Sequence, residues 1–231
     1  MQKNMTELVF ILDRSGSMSG LEDDTIGGFN SMLKMQKEGD ADANITTVLF
    51  DNEIAFIHDR FPIEIVPPLT KKDYSVRGCT ALLDAMGESI RKIENVQEHL
   101  PEAYKSKKVI FVITTDGHEN SSKRYSYQQI KRMVEAKREI GWEFVFLGAN
   151  IDAFGEAEKM GINRSRAVAF ENDHKGIELN YKAVGRMLKC ARISNYEECK
   201  KERAEVFSRE AFREIEEYKA KADFKRNEKN D

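Results

Sequence analysis

Five oxygen-bearing side chains, in three separate parts of the chain, have the types and spacing of a divalent metal site. Asp13, Ser15 and Ser17 form a D-x-S-x-S run directly after an apolar segment, Asp116 follows another such segment, and Thr80 lies in a loop between them. Carboxylates and hydroxyls together make an all-oxygen ligand set, which suits Mg²⁺ or Mn²⁺ and does not suit zinc or copper. The sequence therefore predicts a Mg²⁺ (or Mn²⁺) site at these residues.

The hydroxyls of this predicted site determine what the ion could do. Spacing by two within a tight loop lets Asp13, Ser15 and Ser17 point the same way, and Gly16 permits the turn between them. Because hydroxyl ligands such as Thr80 are neutral, they hold an ion without cancelling its charge. An open coordination position would stay electrophilic. We therefore expect a protein partner that presents an Asp or Glu to the metal.

Short strands alternating with helices must position these residues. Segments rich in β-branched and aromatic residues, typical of β-α-β units in a buried parallel sheet, occur at 8–12, 45–50, 109–114, 143–147 and 167–170. A sixth, at 54–57, follows the second after only three residues, which is too short for a parallel crossover, so it should pair antiparallel. The expected fold class is α/β, with a mixed, mostly parallel six-stranded sheet. In such sheets ligands bind at the carboxyl ends of strands where the strand order reverses.

Apolar residues at helical spacing predict helices that cover the sheet. These patterns begin near residues 26, 83, 126, 152 and 177. From residue 196 onward the composition changes to 11 acidic and 10 basic residues in 36 positions, without glycine or proline. A narrow apolar stripe remains in this part, at Ala204, Phe207, Ala211, Ile215, Tyr218 and Ala222. We predict an α/β domain at 1–195 and a charged amphipathic helical extension at 196–231, which packs on its own domain or contacts a partner or a second copy.

In these features the sequence resembles the von Willebrand factor A (vWA) domain. The metal-ion-dependent adhesion site (MIDAS) of that family uses D-x-S-x-S, a threonine before the second major helix and an aspartate after the fourth strand. All three parts occur here in that order, and the resemblance covers residues 6–194. It implies a Rossmann-like, three-layer fold with strand order 3-2-1-4-5-6 and an antiparallel third strand. It also implies that the ion is held by Asp13, Ser15, Ser17, Thr80 and Asp116.

Two further segments bear on the resemblance. Family members commonly have Gly-Gly-Thr where this chain has Gly78-Cys79-Thr80, so the threonine is in place although the loop differs. We expect Cys79 to be a small buried residue. The segment at 147–152 is similar to those of intracellular bacterial members.

The resemblance implies a metal-dependent protein-binding module, such as an adaptor. We expect that it is not an enzyme, because the sequence around Asp13 offers no set of nucleophile, base and oxyanion donor. One alternative is a Mg²⁺-dependent phosphohydrolase or nuclease, since two carboxylates at a sheet edge could also position a metal for phosphoryl transfer. Such enzymes usually need a further acid, a nucleophile or a cation that grips phosphate, and only Arg14 and Lys123 are near in sequence. Another alternative is an assembly protein that acts, or self-associates, through its C-terminal helix.

The composition limits the possible cellular location and the possible binding partners of the protein. Lys and Arg number 37 against 40 Asp and Glu, a formal charge of −3, which argues against nucleic-acid binding and against a polybasic membrane-surface protein. No apolar run approaches the roughly 20 residues that span a bilayer. Cys79, Cys190 and Cys199 are odd in number and lack C-x-x-C spacing, which disfavours a disulfide framework and a zinc site. We therefore expect a cytoplasmic protein.

Overall fold

The computed structural model describes residues 5–38, 42–149, 151–193 and 201–228, and within them it omits the side chains of residues 193 and 201–211. The strands in these ranges are β1 (Thr6–Asp13), β2 (Ala43–Phe50), β3 (Ile54–Pro62), β4 (Lys108–Thr115), β5 (Glu143–Ala149) and β6 (Ala167–Phe170). The α-helices are α1 (Glu22–Lys37), α2 (Leu82–His99), α3 (Tyr127–Glu139), α4 (Ala153–Lys159), α5 (His174–Ile193) and α6 (Lys201–Asn227). Each predicted strand and helix is thereby confirmed.

The strands form one sheet in the order β3-β2-β1-β4-β5-β6. β3 pairs antiparallel with β2, whereas the other neighbouring strands pair parallel. This is the predicted α/β topology. The strand order reverses between β1 and β4, so the carboxyl ends of these two strands flank a crevice in which α/β sheets bind ligands.

Both faces of the sheet are buried, as β1 shows. Leu8, Phe10 and Leu12 point into the core beneath α1, α5 and α6, whereas Val9 and Ile11 point into the core beneath α2, α3 and α4. Side chains alternate between the faces of a strand, so a continuous apolar segment is needed where helices cover both sides. The three layers therefore follow from the apolar character of the strands.

The C-terminal helix α6 packs on this same domain. Phe212 and Ile215 are buried in the core beneath α1 and α5, and Tyr218 packs against that core. The side chains of Ala204, Phe207 and Ala211 in the predicted stripe lie outside the described residues, as does the predicted boundary at 195/196, which stays a prediction. None of the described helices is long and apolar enough to cross a lipid bilayer.

Candidate metal centre

Asp13 is held rigidly where β1 ends. Its Oδ1 accepts a hydrogen bond of 2.7 Å from the backbone N–H of Ser15, and its Oδ2 accepts one of 2.5 Å from the hydroxyl of Thr115. A short 3-10 turn, Gly16–Met18, follows. Only 2% of Asp13 is exposed, so its carboxylate is almost fully withdrawn from water.

The three predicted hydroxyls surround one small space beside Gly117. A methyl carbon placed on Gly117 would lie 3.0 Å from Oγ1 of Thr80, 3.3 Å from Oγ of Ser17 and 3.9 Å from Oγ of Ser15. The two serine oxygens are 3.1 Å apart. A side chain at position 117 would occupy this space, and glycine leaves it open.

Asp116 completes the cluster from the end of β4. Its Oδ1 accepts a hydrogen bond of 2.5 Å from the hydroxyl of Ser17, and its Oδ2 accepts one of 2.8 Å from Nδ2 of Asn172. The structure therefore brings all five predicted residues to one edge of the sheet, between β1 and β4. Asn172, just after β6, was not predicted, because no spacing in the sequence connects it to β4.

Backbone hydrogen bonds join the loop of Thr80 to the loop after β1. The N–H of Gly16 donates to the carbonyl of Gly78 at 3.1 Å. Gly78 has a φ of +68°, and a Cβ there would lie 1.9 Å from Oδ1 of Asn52, so a larger residue would be strained at this position. The same Asn52 oxygen accepts a hydrogen bond from the N–H of Cys79. Cys79 is exposed, so the expectation that it is buried was wrong: its backbone is held in the loop while its side chain points to solvent.

Three side chains that the sequence did not indicate tie the segment after β4 to Thr80 and to the start of α2. Oδ1 of Asn120 accepts from the N–H of Thr80 at 2.9 Å, and the N–H of Asn120 donates to the carbonyl of Thr80 at 3.0 Å. Glu119 accepts from the N–H of Leu83 in the first turn of α2 at 2.9 Å. Asp84 accepts backbone N–H groups from residues 123, 124 and 125, each at 2.9 Å. No sequence signal shows which distant backbone a carboxylate will reach.

Arg14, inside the D-x-S-x-S run, is already paired. Its Nε lies 2.9 Å from Oδ2 of Asp51, and Nε of Arg77 lies 2.8 Å from the same oxygen. Arg14 is buried, and Arg77 also pairs with Glu53. These cations therefore belong to a local ion-pair cluster in which two guanidiniums face two carboxylates.

The electrostatics of the cluster favour a cation. Burial, opposed by the hydrogen bonds from Ser15 and Thr115 and reinforced by the charge of Asp116, raises the pKa of Asp13 to about 6. Burial likewise raises the pKa of Asp116. Two carboxylates withdrawn from water at one site are unfavourable unless a positive charge or protons compensate them. The residues therefore fit a hard divalent ion.

Such an ion would depend on the hydroxyls. Within the described ranges, no three side chains of His, Cys, Asp or Glu lie together in a group suited to a metal ion. The two carboxylates need Ser15, Ser17 and Thr80 to complete an oxygen shell. This is the donor chemistry of Mg²⁺ and Mn²⁺ sites.

Comparison with known proteins supports the fold. Neither a family model nor a curated protein matches the chain. A solved structure of the vWF domain of the type V pili tip protein Mfa5 from Porphyromonas gingivalis matches with a TM-score of 0.58 at 9% identity, over 84% of this chain and 98% of that one. The VWA2 paralog of ArnB from Sulfolobus acidocaldarius matches with a TM-score of 0.52 at 16% identity, over 80% and 45% of the two chains.

A third structure, proximal thread matrix protein 1 from the mussel byssus with a zinc-occupied MIDAS motif, matches with a TM-score of 0.51 at 16% identity. The match covers 82% of this chain and 46% of the mussel chain, so the chain described here spans about half the length of that protein. Each of these three similarities extends over at least 80% of this chain. The chain therefore has the von Willebrand factor A fold.

Proposed function

We propose that this protein is a metal-dependent protein-binding module of the adaptor kind. Asp13, Ser15, Ser17, Thr80 and Asp116 would hold one Mg²⁺ or Mn²⁺, and a partner would present an Asp or Glu side chain to it. When bound, the ion would supply an electrophilic centre for that carboxylate. The observation that carries the proposal is the convergence of three neutral hydroxyls and two buried carboxylates on one edge of the sheet.

The roles of the chain's own groups follow from their contacts. The N–H of Ser15 and the hydroxyl of Thr115 fix both oxygens of Asp13, which limits the rearrangement needed on binding. Ser15, Ser17 and Thr80 add oxygen donors without adding charge. The charges of the two carboxylates balance the charge of a divalent ion, so little excess negative charge surrounds it. This balance favours an additional anionic ligand from outside.

The fold comparisons are compatible with a role in protein contacts. The similar structures include a domain of a pilus tip protein and a matrix protein of the mussel byssus. The mussel structure contains zinc in its MIDAS motif, so zinc belongs among the ions to test here. For this chain we propose Mg²⁺ or Mn²⁺, because its five donors are all oxygen.

We also propose that the chain is not a phosphohydrolase or nuclease. The cation nearest to the D-x-S-x-S run, Arg14, is buried and paired with Asp51, so its guanidinium is not available to grip a phosphate. The alternative of assembly through the C-terminal helix is opposed by the burial of Phe212 and Ile215 against the protein's own core. The cytoplasmic location stays a prediction.

Calorimetry with chelator-treated protein tests the metal site. We expect one Mg²⁺ or Mn²⁺ per chain, with binding lost in Asp13→Ala and retained in Asp59→Ala, which changes an exposed carboxylate paired with Lys92. Retained binding in Asp13→Ala would contradict the assignment.

The carboxylate of the partner is tested once a partner is identified. Thr80→Ala is combined with each Asp or Glu to Ala change on the partner, and affinities are measured in Mg²⁺. One carboxylate should couple strongly to Thr80, because both act through one ion. Full additivity for all of them, or binding that is indifferent to chelator, would contradict this part of the proposal.

A further inference from the structure

Three consecutive residues after β6 connect the candidate metal centre to the C-terminal helix. The middle residue, Asn172, donates from Nδ2 to Oδ2 of Asp116 at 2.8 Å. Its neighbours on either side, Glu171 and Asp173, contact α6. The segment 171–173 therefore lies between a proposed metal ligand and a helix that contributes no ligand itself.

α6 contacts this segment through ion pairs and hydrogen bonds that are strong for a surface contact. Arg226 makes two hydrogen bonds to the carboxylate of Glu171, at 2.5 and 2.8 Å, and Nζ of Lys219 lies 3.6 Å from the same group. Glu171 is buried, and bidentate Arg–carboxylate pairs are among the stronger polar contacts in proteins. The hydroxyl of Tyr218 donates to Oδ2 of Asp173 at 2.9 Å.

The segment is also a tight turn, so its ends and its middle move together. The N–H of Asp173 donates to the carbonyl of Glu171 at 3.0 Å, and Oδ1 of Asp173 accepts from the N–H of Gly176 at 2.7 Å. A Cβ on Gly176 would lie 1.8 Å from the carbonyl oxygen of Glu171, so the chain has no spare room there. A shift of either flanking residue would displace Asn172.

Asn172 restrains Asp116 although its own amide is not fully hydrogen-bonded. Its Oδ1 is buried and has no hydrogen-bond partner among the described residues, which is an unfavourable arrangement for an amide. Its Nδ2 restrains one oxygen of Asp116 while the hydroxyl of Ser17 restrains the other. Groups that orient a metal ligand in this way commonly change metal affinity when they are removed.

We propose that Asn172 is a positioning residue for Asp116 and that α6 tunes the metal affinity of the site by holding residues 171–173 in place. This inference rests on the proposed function, since it concerns the same ion. It adds that the C-terminal helix, although it carries no ligand, is a part of the binding apparatus.

The test measures Mn²⁺ affinity by calorimetry and unfolding by urea in chelator, on the full chain. The variants are Asn172→Ala, Arg226→Glu and the two combined. The matched control is Arg186→Glu, because Arg186 pairs with Glu214 of α6 at 3.2 Å and forms no hydrogen bond or ion pair with residues 171–173.

We expect Asn172→Ala to weaken Mn²⁺ binding by about 10-fold or more, in the range typical of groups that orient metal ligands. Arg226→Glu should weaken it less, and Arg186→Glu should leave it unchanged. The double variant should bind Mn²⁺ no more weakly than Asn172→Ala alone, because α6 acts through that amide. A merely structural role would lower the unfolding free energy without this pattern of affinities.

The outcomes separate this inference from the proposed function. Wild-type affinity in Asn172→Ala, when Asp13→Ala has lost binding, would overturn the inference and leave the metal site standing. Additive losses in the double variant would overturn the role of α6 through Asn172. No binding of Mn²⁺ by the unaltered protein would overturn both proposals.

Discussion

The hydroxyl of Ser17 donates a hydrogen bond of 2.5 Å to Oδ1 of Asp116, which lies 99 residues further along the chain. Parallel pairing of β1 with β4 makes this contact possible, because it brings the loops that follow the two strands side by side. Two of the proposed ligands are therefore in direct contact. The pairing of β1 with β4 positions them together although they are far apart in the sequence.

The stability of the metal-free protein should depend on Asp13. Burial raises the pKa of Asp13 to about 6, whereas the ordinary value is near 4. The folded protein therefore favours the protonated form of Asp13. The contribution of this group to stability is fully present below about pH 4 and is lost as the pH rises through about 6. Asp13→Asn should therefore be more stable than wild type at pH 7.5 by about 1–3 kcal/mol. The amide fits, since the hydroxyl of Thr115 has the carbonyl of Gly117 as an alternative acceptor.

Urea unfolding of both proteins in chelator, between pH 4 and 8, provides the measurement. The difference between them isolates Asp13 from the other titrating groups. If the variant is less stable at every pH, the carboxylate is not the unfavourable group that its burial indicates.

Metal affinity should weaken in acid. Because protons and the ion compete for Asp13, whose pKa is raised to about 6, the affinity for Mn²⁺ should fall about 10-fold per pH unit below that value. Calorimetry at pH 5, 6 and 7.5 measures this, and two buffers of different ionisation enthalpy report the protons released. Equal affinity at pH 5 and 7.5 would exclude Asp13 as a ligand.

Asp84 should stabilise the fold more than an exposed carboxylate does. It is 6% exposed and accepts three backbone N–H groups of the loop before α3, so Asp84→Ala should lower the unfolding free energy by about 2–4 kcal/mol. Asp59→Ala, which breaks an exposed ion pair with Lys92, should lower it by less than about 1 kcal/mol. Similar losses in the two variants, measured by urea unfolding, would show that the buried hydrogen bonds contribute little.

Gly78→Ala should distort the loop of Thr80. The positive φ and the approach of Asn52 predict a loss of about 1–3 kcal/mol in unfolding free energy. Because Thr80 lies two residues away, Mn²⁺ affinity should also decrease. Cys79→Ala is the matched control, and it should change stability by less than about 0.5 kcal/mol because that side chain is exposed. If Gly78→Ala changed neither the unfolding free energy nor the Mn²⁺ affinity, the loop would be more deformable than its contacts indicate.

The fold was predictable because its signals are local. The apolar segments that become β1 and β4 are buried on both faces, and the three residues between β2 and β3 permit only an antiparallel turn. α3 begins at a capping box of Ser126 and Gln129, a Ser-x-x-Gln pattern that is recognisable in the sequence itself. The five site residues converge because each follows a strand or precedes a helix at the same edge of the sheet.

The supporting contacts were not predictable in the same way. Asn172 reaches Asp116 across 56 positions, and Asp84 reaches its three N–H partners across about 40. Such contacts depend on the final packing of loops, and residue types alone do not specify it. The exposure of Cys79 was missed for the same reason.

The conformation of Gly78 also bears on how such loops are recognised in other sequences. Position 78 strongly favours glycine, because of its φ and the nearby Asn52, whereas the exposed position 79 has a negative φ and accepts a side chain. A search pattern that demands Gly-Gly-Thr would reject this protein over a residue that the loop does not constrain. Writing the pattern as Gly-x-Thr, together with an asparagine in the turn after the second strand, would retain chains that are built in this way.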